Sequence, residues 1–281
     1  MTTLAPRAGW SATEEVEVDL LLEAVYRIRG FDFRDYARAS LRRRIQNRLM
    51  VEKVETITRL LDKVLHDASC MDRFVLGLSV NVSAMFRDPG FFRVLRDQVL
   101  PLLRTSPYIR IWQAGCSTGE EIYSLAILLA EERLLDRCRI YATDINERVL
   151  ERAREGIYPL ELMQKYTQNY IQAGGTRSFS EYYTAAYENA IFTPALHEHV
   201  VFAKHNLVTD GPFNQFDLIL CRNVMIYFQD GLQRRVHDLL FDSLVPFGVL
   251  GLGAKESIRG TSHEADYAPL NARQRLYRRT H

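Results

Sequence analysis

From residue 107 to the C-terminus, short and almost wholly apolar runs alternate with amphipathic stretches. No other feature narrows the fold so far. YIRIWQAGC, CRIYATDIN, HVVFAKHN, FDLILCRN and GVLGLGAKE read as strands. EEIYSLAILLAEERLL, NERVLERAREG and DGLQRRVHDLLFDSL read as helices between them, the second stopped by Gly156. Strands that are apolar on both faces need cover on both faces, which points to a parallel sheet between helix layers. The order β-α-β-α-β-β-α-β predicts an α/β, doubly wound fold. Residues 159–195 break the alternation with Tyr166, Tyr170, Tyr182, Tyr183 and Tyr187 around Gly174-Gly175. That stretch is too long for a bare connection and predicts a small inserted subdomain. The alternation in SFSEYYTAAY predicts a hairpin within it.

The chain before this point has a different texture. Apolar residues recur at helical spacing in EVDLLLEAVYRI and TITRLLDKVL, so residues 14–78 read as all-helical. The expected division is a helical domain over 1–80, a linking segment over 81–106 and the sheet domain over 107–281. Six arginines outnumber the acids in 31-FDFRDYARASLRRRIQNRLM-50. At 100° per residue Arg34, Arg38, Arg42 and Arg48 share a face, with Arg44 on its edge. That face is either solvated or meets an acidic partner.

Composition excludes several classes. The formal net charge of the 281 residues is +1, which does not suit a general polyanion binder. Cys70, Cys116, Cys138 and Cys221 form no C-x-x-C pair, so neither zinc nor a disulfide framework is expected. The N-terminus MTTLAPRAGW has no apolar signal core. The most apolar stretch, 216-FDLILCRNVMIYF-228, is broken by Arg222-Asn223. A cytoplasmic protein without membrane insertion is expected.

Ligands of doubly wound sheets bind at the carboxyl ends of the strands. There stand 114-AGCSTGEEIYS-124, Asp144 and Arg222-Asn223. The glycine turn is neither a P-loop nor G-x-G-x-x-G, and Glu120 and Glu121 follow where a phosphate would want cations. An acid at the end of the second strand suits the two hydroxyls of a ribose. A nucleoside with a cationic tail satisfies all of these, and S-adenosylmethionine is one. Each feature also has a structural reading: a plain strand–helix turn, or an N-cap at Asp144.

Several ordered stretches carry a resemblance. They are 79-SVNVSAMFRDPGFF-92, 114-AGCSTGEEIYS-124, 141-YATDIN-146, 156-GIY-158, 205-HNL-207 and 219-ILCRNVMIYF-228. On them the chain resembles CheR-type protein-glutamate O-methyltransferases, which methylate bacterial chemoreceptors. The resemblance implies a Rossmann-like S-adenosylmethionine-dependent methyltransferase sheet, an N-terminal all-helical domain and a small antiparallel β-subdomain. It implies cofactor contacts by Asn81, Ser83, Arg87, Gly115, Glu121, Asp144, Asn206, Leu207, Arg222 and Asn223. Arg87 and Tyr227 become the candidate catalytic residues. Arg38, Arg42, Arg44 and Arg48 become candidates for meeting the acidic methylation region of a helical receptor, with the enzyme a monomer. Ser83 stands where threonine is usual, Met85 where phenylalanine is common, and Lys255 interrupts the family's pattern in 251-GLGAKES-257.

The implied reaction is in-line attack of a glutamate carboxylate on the sulfonium methyl, leaving S-adenosylhomocysteine. A glutamate with a pKa of about 4.3 is already ionised at neutral pH, so no general base is needed. Arg87 would orient the carboxylate, and Tyr227 would hydrogen-bond it or guide the methyl. Competing readings are a methyltransferase with another acceptor and a non-catalytic S-adenosylmethionine-binding regulator. A nucleic-acid methyltransferase is disfavoured by the near-neutral charge.

Overall fold

A computed structural model describes residues 10–78 and 83–281. They fall into two compact units: Met1–Val80 with Tyr227–Leu232, and Asn81–Ile226 with Gln233–His281.

The first unit is helical. Helix α1, Ala12–Arg29, opens on a capping box between Ser11 and Glu14 and ends at Gly30, whose φ of 74° closes the last turn. Val18, Leu21, Leu22 and Val25, spaced three and four apart, give it one buried face. Helices α2 (Arg38–Glu52), α3 (Ile57–His66) and α4 (Ala68–Leu78) complete the bundle. Phe33, Leu41, Ile45, Leu60 and Phe74 lie in its core. Buried Glu52 accepts from Arg73 and Lys63, whose hydrogen bonds pull its pKa down to about 2. Tyr227–Leu232 belongs to this unit. Phe228 bridges to Tyr36 with ring centroids 5.0 Å apart, and Ala37 N–H donates to the Tyr227 carbonyl at 2.8 Å.

The second unit opens with helix α5 (Pro89–Val94), a π turn over Leu95–Val99 and helix α6 (Leu100–Leu103). Phe86, Phe91, Phe92, Leu95, Val99 and Leu100 from this stretch lie in the main core. Then come strand β1 (Ile109–Ala114), helix α7 (Glu120–Glu131), strand β2 (Cys138–Asp144) and helix α8 (Glu147–Glu155). Gly156 stops α8 at a φ of 64°, as its sequence position predicts. The inserted subdomain holds strand β3 (Ile157–Pro159), helix α9 (Met163–Gln172) and strands β4 (Tyr183–Ala186) and β5 (Asn189–Phe192). Strands β6 (Val200–Lys204) and β7 (Phe216–Cys221), helix α10 (Asp230–Asp242) and strands β8 (Leu244–Leu252), β9 (Tyr267–Asn271) and β10 (Leu276–Arg279) follow.

The main sheet runs β6-β2-β1-β7-β8-β10-β9. Its strands are parallel as far as β8, and β10 and β9 add an antiparallel edge. This is the doubly wound methyltransferase-type sheet expected from the sequence, with two C-terminal strands that the alternation does not reveal. Pro269 and the Arg-rich 273–279 stretch hide their strand character.

The insertion differs from its expected hairpin by half. Ser178 and Glu181 form a capping box that turns Phe179–Tyr182 into a 3-10 helix. The strands that pair are β4 and β5, joined through Tyr187-Glu188, with β3 on the far side of β5. Glu131, at the end of α7, anchors this region. Its buried carboxylate accepts from the Tyr182 hydroxyl at 3.0 Å, Thr176 N–H at 3.1 Å, the Tyr170 hydroxyl and Arg96.

Candidate active site

The carboxyl ends of the parallel strands bring the predicted turn and acid together. Gly115 and Gly119 have φ of 70° and 92°, and Ser117 between them has 51°. A Cβ on Gly115 would lie 2.5 Å from Val224 Cγ2, so only glycine fits this positive-φ corner. The turn is hydrogen-bonded to the next strand end. Cys116 N–H donates to the Thr143 carbonyl at 2.9 Å, and Ser117 N–H donates to Asp144 Oδ2 at 2.9 Å. Asp144 Oδ1 accepts from Asn146 N–H at 3.0 Å. Asn146, and not Asp144, caps α8, by accepting from Arg148 N–H. Asp144 is therefore not the cap; its carboxylate ties the glycine turn to the start of α8. Its residue surface is partly open, but protein surrounds the carboxylate closely enough that desolvation pushes its pKa up against three backbone N–H bonds.

A second cluster lies beside it. Arg222 leaves β7 buried, with its guanidinium 3.9 Å from the Phe91 ring centroid. It donates to Glu121 Oε2 at 2.6 Å and to Asp88 Oδ2 at 2.9 Å. Gln113 Nε2 donates to Glu121 Oε1 at 3.0 Å. Glu121 and Arg222 are therefore committed to each other, and Arg222 holds Asp88, the neighbour of half-buried Arg87. The 83–88 segment is further fixed by Phe86 N–H on Ser124 Oγ, 2.8 Å, and Asn169 Nδ2 on the Met85 carbonyl, 2.9 Å. Ser83 is half-buried on this segment, and Asn81 lies outside the described residues.

After β6, His205 N–H donates to the Asp144 carbonyl at 3.1 Å and carries the chain into Asn206-Leu207. Buried Asn206 spends its Oδ1 on Val208 N–H in a local turn, and Leu207 is half-buried. Asn223 follows Arg222 at a φ of 60°, a conformation asparagine tolerates.

The residues present suit S-adenosylmethionine. Among the described residues, Ser117 Oγ, Gln113 Oε1 and Arg222 Nε are buried polar atoms with no protein partner, on the residues that build the site. Buried Glu120 and Glu121, with Asp144, outnumber the one buried guanidinium here, which favours a cationic ligand over a phosphate. Asp144 stands at the carboxyl end of β2, beside the glycine turn.

Comparison with known proteins agrees. The CheR methyltransferase SAM binding domain matches residues 81–274, and the CheR methyltransferase all-alpha domain matches residues 17–79. The chain belongs to the CheR methyltransferase family. It is 48% identical to the methyltransferase Cher3 of Pseudomonas putida, itself a provisional assignment, over 95% of this chain and 97% of that one. It is 33% identical to a chemotaxis protein methyltransferase of Listeria innocua over 92% and 96% of the two chains. For the Escherichia coli chemotaxis protein methyltransferase the values are 35% over 66% and 63%. This CheR-family protein is an S-adenosylmethionine-dependent methyltransferase. No helix among the described residues is long and apolar enough to cross a membrane.

The remaining candidates of this CheR-family chain lie in the helical unit. Tyr227 has the Arg44 guanidinium 4.7 Å from its ring centroid. Arg44 is buried and donates to the Leu78 carbonyl, and burial pulls its pKa down. It is therefore not part of an exposed basic face, as the helical projection had it. Arg34 precedes α2 and pairs with Asp32 and Glu23 at 2.7 and 2.8 Å. Arg38 is exposed and pairs with Asp19 at 2.7 Å, while Arg48 donates to the Arg73 carbonyl at 3.0 Å. Arg42 is half-buried. The projection assumed one helix through 31–50, and the turn at 34–37 breaks it. Sequence reasoning also missed Gln113, Ser117, Asp88 and Glu256. Glu256 accepts three backbone N–H groups of the 223–225 segment.

Proposed function

We propose that this methyltransferase esterifies glutamate side chains on a bacterial chemoreceptor or a related helical signalling protein. What carries the reading is likeness, across both family domains, to relatives named chemotaxis protein methyltransferases. S-adenosylmethionine supplies an activated methyl on a sulfonium. Asp144 holds the ribose, and the acids of the 115–121 turn favour the cationic end. A glutamate side chain is ionised at neutral pH and attacks without a base. The protein's task is then alignment, worth up to about 7–11 kcal/mol of barrier. Arg87 orients the carboxylate through its planar fork, and Tyr227 guides it. Asn81, Ser83, Glu121, Asn206, Leu207, Arg222 and Asn223 complete the cofactor's surroundings. Arg38, Arg42 and Arg48 meet the acidic substrate helix.

The test is methyl transfer from labelled S-adenosylmethionine to receptor-bearing membranes. Label that leaves as methanol in mild base, and that disappears when receptor glutamates become alanine, supports the reading. Base-stable label defeats the glutamate acceptor and leaves the methyltransferase. The name of the 48% identical relative specifies a methyltransferase without an acceptor, so another protein carboxylate is the second reading. In either case Asp144→Asn should weaken S-adenosylhomocysteine binding at least about ten-fold, since hydrogen bonds to a charged group contribute about 1.5–3 kcal/mol each. Unchanged calorimetric affinity would remove Asp144 from the pocket.

A further inference from the structure

Glu256 stands where the family's sequence pattern is interrupted by Lys255, and the structure separates the two residues. Lys255 is exposed at the tip of the turn after β8, while Glu256 is 4% exposed. The turn closes through Glu256 N–H on the Gly253 carbonyl at 2.9 Å. Among the described residues, the partners recorded for the Glu256 carboxylate are all main-chain N–H groups. Oε2 accepts from Gly253 at 2.6 Å and Asn223 at 2.9 Å, and Oε1 accepts from Val224 and Met225, both at 2.8 Å. Three consecutive N–H groups after β7 and one after β8 thus converge on a single carboxylate.

Such convergence forms an anion nest, and here the chain fills it with its own side chain. The consequence lies on the other side of the loop. Val224, between two of the held N–H groups, presses its Cγ2 against the Gly115 corner. Arg222, one residue before the nest, reaches Glu121 and Asp88. Gly253 lacks the Cβ that would sit 2.7 Å from Asn223 N and 2.8 Å from Asn223 Nδ2. With no carboxylate, four N–H groups, those of Met225 and Gly253 buried and those of Asn223 and Val224 part-buried, would need water or new partners, and the loop would have to move to find them.

We infer that Glu256 is a positioning residue of the cofactor pocket. Its carboxylate holds the 223–225 main chain so that Val224 backs the Gly115 corner and Arg222 stays aimed at Glu121 and Asp88. It touches no ligand; it acts through the loop. The inference rests on the S-adenosylmethionine pocket and not on which acceptor is methylated.

The experiment is calorimetric titration of S-adenosylhomocysteine into wild type, Glu256→Ala, Glu256→Gln and a control, Glu264→Gln. The control loses a backbone-accepting glutamate of the same turn-rich segment, one that caps Gly260 N–H. The expected result is a loss of at least about ten-fold for both Glu256 variants and none for the control. Sodium acetate should restore much of the affinity of Glu256→Ala, because it returns a carboxylate to the emptied nest. Sodium chloride at equal ionic strength should not. Acetate should leave Glu256→Gln unchanged, since its amide fills the space. Wild-type affinity in a folded Glu256→Ala overturns the inference, as does a loss that acetate does not answer. Should Glu256→Ala fail to fold, the isosteric Glu256→Gln decides alone: wild-type affinity there overturns the inference, and weakened binding supports it.

Discussion

Glu131 beneath the insertion and Glu256 behind the strand-end loops are both buried carboxylates, but they are satisfied differently. Glu131 meets a guanidinium, two tyrosine hydroxyls and one N–H group, and these hold its pKa below the ordinary range although burial opposes them. Among the described residues, Glu256 meets main-chain N–H groups and no cation, and burial pushes its pKa up. A charge-compensated anchor suits a rigid prop. A desolvated carboxylate without a cation is costlier, and such costs are tolerated where a site's shape depends on them. The insertion should therefore report on stability and the strand-end loops on binding.

The strongest challenge to this contrast is Arg96→Met. It leaves Glu131 buried without its guanidinium, which should cost about 3–5 kcal/mol in urea unfolding. S-adenosylhomocysteine affinity of the folded variant should stay near wild type; a matching loss of affinity would erase the contrast. Gly175→Ala comes next. Its new Cβ would overlap the Tyr170 ring, an overpacking that costs about 1–3 kcal/mol. An unchanged thermal midpoint would show that the insertion is looser than its packing implies. Tyr182→Phe removes one hydrogen bond to Glu131 and should cost about 1 kcal/mol by the same unfolding measurement.

The finest distinction is in pH. Glu131 has a lowered pKa, so its contribution is present above the unfolded value and is lost as pH falls through the folded one. Glu256 has a raised pKa, so its contribution is full below the unfolded value and is lost as pH rises through the folded one. Urea midpoints of Glu131→Gln and Glu256→Gln, each compared with wild type between about pH 7 and pH 4, should diverge with opposite slopes. Parallel slopes would mean that the two carboxylates are alike after all.

The parts of the site legible in the sequence are those coded over a few residues. A strand, a glycine corner and a helix start follow one another in 109–121, and local sterics alone demand glycine where φ is positive. Asp144 was legible because strand ends share one edge of a parallel sheet. The SFSEYY segment misled because its alternation competes with a capping box, and the local N–H bonds of the cap win. The arginine projection misled because periodicity does not mark where a helix begins.

By itself, the sequence determined the alternating elements, the helical N-terminal unit, the turn and the acid at the end of β2, since each is set by neighbours along the chain. Only the tertiary structure decided that Arg222 is spent on Glu121 and Asp88, which lie 101 and 134 residues away. It also decided that Arg44 is buried and that Glu256 reaches back 31–33 residues to grip the loop after β7. Charge type and spacing do not say which buried groups meet. That pairing is fixed by the need to satisfy each desolvated polar atom once the sheet has closed.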